Sequence, residues 1–224
     1  SSDLKSKIKD TRAPKADGIM FFPQPGEGVV DGKQEIKTIL PNSERLVEAW
    51  GVIGTGIKAY DYMDGVNNHY GVYSVILTVD GNEVFRSTVD RFSQEENRMI
   101  NSWTYGQYMK SFIDPGNTLR LLKASNENRG LVTIDEERDY QFLYTLKDAF
   151  GNTSKYSFVV RGRKQPIEPF NYREKYFFTW DKTNYLQEPG LSLVVPKGML
   201  YKDTPLNYQV KADSGAVEIG RASC

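Results

Sequence analysis

Residues 71–88 read Gly71-Val-Tyr-Ser-Val-Ile-Leu-Thr-Val-Asp80-Gly-Asn-Glu-Val-Phe-Arg-Ser-Thr88. In the first half Tyr73, Val75, Leu77 and Val79 recur at every second residue, with Val72, Ser74, Ile76 and Thr78 between them. A period of two is that of an extended strand, because successive side chains leave the backbone on opposite sides. Asp80-Gly81-Asn82 then supplies residues that tolerate positive φ, and Val84, Arg86 and Thr88 continue with strand-forming character. The stretch is therefore a β-hairpin with a short turn, and hairpins build antiparallel sheet.

The same pattern extends in both directions. Upstream, Ile53, Thr55, Ile57 and Ala59 alternate with Gly54, Gly56 and Lys58, a strand whose glycines imply close packing on one side. Earlier still, Ala16 to Phe22 and Gln34 to Leu40 read as opening strands separated by a Pro- and Gly-containing loop over 23–32. Downstream, Tyr140, Phe142, Tyr144 and Leu146 line one face of a strand; Asp148 to Asn152 turns, and Tyr156, Phe158 and Val160 run back. One segment departs from the period of two. Ser93-Gln-Glu-Glu96 is a capping box opening a short helix to about Trp103, and Asp114-Pro-Gly-Asn117 is a strong turn, so 93–116 is a partly helical insertion. Arg161-Gly-Arg163 followed by Lys164-Gln-Pro166-Ile-Glu-Pro169 has linker composition. Beyond it, short strand-like runs at Tyr176–Trp180, Leu191–Val195 and Leu206–Val210 are too few to complete a sandwich.

These readings predict a mainly β, antiparallel immunoglobulin-like sandwich over 12–163 with that insertion, followed by a second, truncated β domain over 164–217. Residues 1–11 form an N-terminal residual segment. The run Glu218-Ile-Gly-Arg-Ala-Ser-Cys224 resembles the translation of a common sequencing adapter, so 218–224 is expected to be an artefact and the natural chain to continue past about Val217. The opening Ser1-Ser2-Asp3 lacks a signal peptide, which is expected upstream.

Composition removes several function classes. The 224 residues carry 29 Lys+Arg against 29 Asp+Glu, so no bulk charge draws the chain to nucleic acid or anionic lipid. With 39 % hydrophobic residues, 26 % charged and a mean hydropathy of −0.55, the chain is expected to be globular, with no run long enough for a helical membrane span. One His and one Cys cannot supply a histidine- or thiolate-rich zinc centre within this segment. His69 stands outside any HExxH, HxxxD or HxH context, no GxSxG elbow is present, and a loop position beside Asn67 and Asn68 accounts for it. Gly51-Val-Ile-Gly54-Thr-Gly56 echoes a phosphate loop, yet no Lys-Ser/Thr follows, and the glycines belong to a strand. No catalytic and no cofactor-binding residue is assigned. Asp61, Asp64 and Asp148 lie at strand ends that could meet at one pole, where carboxylates hold Ca²⁺; capping of turns accounts for the same three residues. Trp50, Trp103 and Trp180 could stack on sugar, with core packing the default. Arg161, Arg163 and Lys164 form a small basic cluster.

With the strands placed, Gly56-Ile-Lys-Ala-Tyr-Asp61, Gly71-Val-Tyr-Ser, Val79-Asp-Gly81 and Leu146-Lys-Asp148-Ala-Phe-Gly151-Asn-Thr-Ser154 resemble a bacterial immunoglobulin-like module. The order of Ile8-Lys-Asp-Thr11…Pro14, Gly56 to Gly65, Gly71-Val-Tyr-Ser, Asp90-Arg-Phe-Ser93, Ile100-Asn-Ser102, Pro115-Gly-Asn117 and Pro196-Lys-Gly-Met-Leu-Tyr201 is similar to a more specific region. It is the region downstream of the catalytic domain in exported lysostaphin-like zinc metallopeptidases of Gram-negative gut bacteria. The resemblance covers about 8–212. It implies a parent that cleaves the peptide cross-links of peptidoglycan with a His/Asp-bound zinc and an activated water. It also implies export to the periplasm or cell envelope. The zinc ligands of that family are not in this segment, so no catalytic residue is carried over. The segment is then expected to be an accessory module whose partners are its own catalytic domain or cell-wall glycan and peptide. The alternative is a free-standing adhesion or glycan-binding surface module. An independent hydrolase would require His69 to have carboxylate and hydroxyl partners within hydrogen-bond reach.

Overall fold

The computed structural model describes residues 10–43, 46–62, 69–91, 93, 94, 96–170, 176–210 and 217–221. The protein is mainly β, 54 % strand and 4 % helical, and its strands build a large curled mixed sheet. Two compact units emerge. The first runs to Ile113 and resumes over Leu119–Pro169; the second joins Asp114–Thr118 to the chain from Phe170 onward.

In the first unit the strands are β1 (Lys15–Val30), β2 (Lys37–Ile39), β3 (Val47–Tyr62), β4 (His69–Tyr70), β5 (Ser74–Val79) and β6 (Asn82–Thr88). A short helix, α1 (Asn97–Trp103), precedes β7 (Thr104–Tyr105), β8 (Tyr108–Lys110), β9 (Leu122–Ala124), β10 (Val132–Ile134), β11 (Asp139–Lys147) and β12 (Thr153–Gly162). Hydrogen-bonded neighbours follow the order β2-β1-β3-β12-β11-β5-β6-β9. Among the described residues every pair but one is antiparallel: β12 meets β3 in parallel, Val160–Gly162 against Val47–Ala49. The purely antiparallel expectation is corrected there, because the chain from β3 to β12 is long enough for the crossover that parallel strands need.

The hairpin that opened the reading forms with Asp80 at φ 50 and Gly81 at φ 80, closing Val79 against Asn82. Two central residues at positive φ match the right-handed twist of the flanking strands, and glycine takes that conformation without steric cost. One detail differs. The register slips between Leu77 and Thr78, leaving Val84 without a cross-strand partner, and Phe85 and Ser87 are buried beside it. A bulge of one residue reverses the alternation that follows it.

Along β11, Tyr140, Phe142, Tyr144 and Leu146 are all buried, and they face Val160, Phe158, Tyr156 and Ser154 across the ladder. Curling brings this face onto β1 and β3. The Phe21 ring meets Phe158 edge-on at 5.7 Å, and Phe142 stacks on Phe158 at 5.1 Å. Inside the curl the fully buried Tyr144 Oη lies 2.7 Å from Thr55 Oγ1 and 2.8 Å from Ser111 Oγ. Burial pushes that phenol well above its ordinary pKa, so it stays a neutral hydroxyl.

The loop expected over 23–32 is largely strand. β1 continues through Pro23 to Val30, with the register jumping between Pro23 opposite Ile53 and Gly28 opposite Gly51. Residues 24–27 bulge out against the single residue Val52, so the ring of Pro25, which has no N–H to donate, sits where no ladder bond is needed. Gly54 is a close-approach glycine: a Cβ there would lie 2.4 Å from the Phe112 ring.

In the insertion the Ser93 N–H donates to Glu96 Oε2 at 2.8 Å and the Glu96 N–H to Ser93 Oγ at 3.2 Å, the reciprocal pair of a capping box. Helix α1 follows, and its buried Trp103 donates from Nε1 to Lys110 O at 3.0 Å. The Pro-containing stretch 164–169 belongs to the first unit, where Gln34 Nε2 donates to Glu168 O.

The second unit contains β13 (Tyr176–Phe178), β14 (Asn184–Glu188), β15 (Leu191–Val195), β16 (Thr204–Val210) and β17 (Val217–Arg221). They form a sheet ordered β13-β16-β17 and a separate β14-β15 hairpin. The core is small: Phe178, Leu186 and Leu206 are buried, and Tyr176, Leu191, Leu193, Val195 and Leu200 pack half-buried against them. The Asp114–Thr118 turn is part of this unit, the Gly116 N–H donating to Tyr201 O at 2.6 Å.

Candidate functional site

Strand β3 carries Asp61 to its end, where that residue lies opposite Tyr70 of β4, and the β11–β12 turn begins with Asp148. Asp148 is committed to its turn: its Oδ1 accepts the Phe150 and Asn152 N–H groups, both at 2.8 Å, and its Oδ2 accepts Asn152 Nδ2 at 2.6 Å. A carboxylate two residues before a free amide is the usual way such a loop satisfies its donors. Asn152 Nδ2 also donates to Asp10 O at 3.1 Å, and Ser154 Oγ donates to Pro14 O at 2.6 Å. These bonds hold the chain entering β1 beside the turn.

The consequence is a cluster. Asp10, Asp61 and Asp148, all buried, bring one carboxylate oxygen each within 4.8 Å of one another. Two of the residues expected to meet, Asp61 and Asp148, do so, and Asp10 joins them; Asp64 lies outside the described residues. Burial first, and then the charge of Asp148, push the Asp61 carboxyl above its ordinary pKa, against the Tyr62 N–H that it accepts at 3.0 Å and the charge of Arg12. A set made of carboxylate oxygens alone suits a hard cation such as Ca²⁺ better than zinc, which joins carboxylates to nitrogen or sulfur ligands. Asp10 was not among the acids expected there: it precedes the first alternating run, and its segment is held at the site by bonds from residues 140 and more positions away.

His69 is placed in β4, paired with Tyr62, and not in the loop expected for it; Asn67 and Asn68 lie outside the described residues. Gly51, Gly54 and Gly56 all stand inside β3, consistent with strand glycines. Of the tryptophans, Trp103 is buried, while Trp50 and Trp180 are half-buried.

At another end of the sheet an open groove of about 520 Å³ is lined by Glu48, Glu137, Arg138, Asp139, Arg161, Gly162 and Arg163. The two arginines of the basic cluster are matched by acids. Arg161 Nε donates to Asp139 Oδ1 at 2.8 Å and Arg163 Nη1 to Glu48 Oε1 at 3.0 Å, while Lys164 meets Glu137 Oε1 through its backbone N–H at 3.2 Å. Arg138 bridges Asp80 and Glu136, both at 2.8 Å, and lies 3.7 Å from the centre of the Tyr140 ring. Arg161 holds the Asp139 carboxyl below its usual range. Exposed pairs of this kind contribute little stability and leave a surface of alternating sign rather than a positive patch.

Comparison with known proteins places one marker on the chain. No curated protein and no solved structure matches it. Residues 175–219, within the second unit, match the family model described as a Zu5-like domain.

Proposed function

We propose that the chain is the accessory, non-catalytic region of an exported cell-wall zinc metalloendopeptidase, whose parent hydrolyses peptidoglycan in the periplasm or cell envelope. In this reading the first unit is an immunoglobulin-like sandwich with a partly helical insertion, and the second is a truncated β domain. The module targets the wall, packs on the catalytic domain or spaces it. Zinc belongs to that catalytic domain; the all-oxygen set of Asp10, Asp61 and Asp148 is a poor match for it, and no step is assigned to zinc here.

One observation carries the reading: the residues on which the resemblance rests serve as framework. Gly56 and Asp61 lie in β3, Gly71 to Ser74 leads into β5, Asp80-Gly81 closes a hairpin, and Asp148 holds the β11–β12 turn. Pro115-Gly116-Asn117 joins the second unit. A motif set built of turn and packing residues supports a scaffold that positions something else.

The test is to recover the complete gene and read what precedes Ser1. A signal peptide followed by HxxxD and HxH ligands is the expected result. An upstream region without those ligands overturns the reading and moves the assignment to a free-standing adhesion or glycan-binding module.

A further inference from the structure

In the second unit β14 and β15 stand as a two-stranded ladder, joined by Pro189-Gly190, with Glu188 opposite Leu191 and Asn184 opposite Val195. A two-residue turn makes its flanking pair a hydrogen-bonded one, and bonded pairs alternate with non-bonded pairs along an antiparallel ladder. Leu191, Leu193 and Val195 therefore bond to β14, while the backbone N–H and C=O groups of Ser192 and Val194 point away from it. Among the described residues no other backbone bond uses Ser192 or Val194.

Open edges of this kind are normally guarded by a charge, a proline or a bulge. β15 reads Leu-Ser-Leu-Val-Val and has none of the three before Pro196. Its side chains are also underused. Leu191, Leu193 and Val195 are only half-buried against Phe178, Leu186 and Leu206. On the other face Tyr185 and Val194, directly opposite each other, are 72 % and 51 % exposed.

We propose that the β15 edge pairs with β15 of a second copy of this chain, antiparallel and centred on Leu193. The strand is its own complement in that register. Ser192 of each copy faces Val194 of the other, and these are the residues whose backbone groups point outward, so the two contacts supply four backbone hydrogen bonds. On the half-buried face Leu193 meets Leu193, and Leu191 of one copy meets Val195 of the other, continuing the apolar row. No like charges oppose each other within the five-residue strand. A two-fold contact of this kind closes on itself and yields a dimer rather than a fibre. With only five residues a side it falls below the usual size of a stable interface, so association is weak.

The experiment is sedimentation velocity on the full 224-residue chain from about 1 µM to about 1 mM, the range in which weak interfaces fill. Reductant is present so that Cys224 cannot link copies. Wild type is expected to shift from monomer to dimer across this range. Val194→Pro removes an N–H that β14 does not use, and is expected to weaken association at least tenfold with an unchanged far-UV spectrum. Tyr185→Ser alters the exposed face without touching the edge and is expected to dimerise like wild type. A chain that stays monomeric throughout overturns the proposal. So does a dimer that survives Val194→Pro, or one abolished by Tyr185→Ser.

Discussion

Tyr144→Phe removes a single oxygen from the most enclosed part of the first unit. That oxygen bonds Thr55 Oγ1 of β3 at 2.7 Å and Ser111 Oγ at 2.8 Å, and all three side chains are buried. Each bond contributes about 0.5–1.5 kcal/mol net, and two interior hydroxyls lose a partner that water cannot replace. The expected cost is about 2–3 kcal/mol. For a unit of this size each kcal/mol moves Tm by roughly 2–4 °C, so a drop of about 5–10 °C is expected. Urea unfolding should show a lower midpoint at unchanged slope, and hydrogen exchange on β11 peptides reads the loss in the first unit alone. Combining Tyr144→Phe with Thr55→Val and Ser111→Ala, which removes the stranded hydroxyls, should recover at least half the loss. A single variant within about 0.5 kcal/mol of wild type, or a triple variant showing no recovery, refutes the argument, since either means that the hydroxyls find other partners.

Gly54→Ala places a methyl 2.4 Å from the Phe112 ring, which packs with Met20 and Phe22, and should cost about 1–3 kcal/mol by overpacking. Phe112→Leu in the same chain should relieve part of it, as read by thermal denaturation. Gly81→Ala has open space around it but keeps a φ of 80, so it should cost only the backbone strain of about 1–2 kcal/mol, with no rescue by any neighbour. Asp61→Asn tests the carboxylate cluster. The Asp61 pKa is raised in the fold, so its proton is held more tightly there than in the unfolded chain, and stability falls as pH rises from the unfolded value through the folded one. The variant should therefore gain on wild type at neutral pH in chelating buffer, and the gain should vanish in acid below both values. A difference that is constant with pH would falsify the assignment.

Local chemistry was legible where one face of a strand is buried and its neighbour is close in sequence. Tyr140 to Leu146 alternates because only that face meets β1 and β3, and Asp80-Gly81 and Asp148 to Asn152 are turns written in their own residues. The bulge at Val84 was not, since a single unpaired residue leaves no mark on a hydrophobic pattern. Pro23 and Pro25 hid the second half of β1, because proline signals a loop unless a bulge spares its missing donor. The parallel contact of β12 with β3 involves three residues a hundred positions apart, a distance at which no periodicity speaks. At the site, Asp61 and Asp148 stood out as strand-end acids, while Asp10, ahead of the first alternating run, is brought to them by the fold.

One edge of β3 is lined by β1. Between Val47 and Ile57 the other is shared by short segments that emerge later: β8 at Gly56–Ile57, β10 at Gly51–Ile53 and β12 at Val47–Ala49. A chain made from its N-terminus fills that edge piecemeal, and its Val47–Ala49 part stays open until Gly162 has been synthesised. At about 5–20 residues per second, the hundred-odd residues between Ala49 and Gly162 take on the order of ten seconds. Until β8 and β10 have followed, by Ile134, the Gly51-Val-Ile-Gly-Thr-Gly-Ile57 run of β3 presents unpaired amides and apolar side chains together. The nascent protein therefore passes through a defined window of vulnerability, one that a holding chaperone or slower initiation would narrow and faster synthesis would crowd.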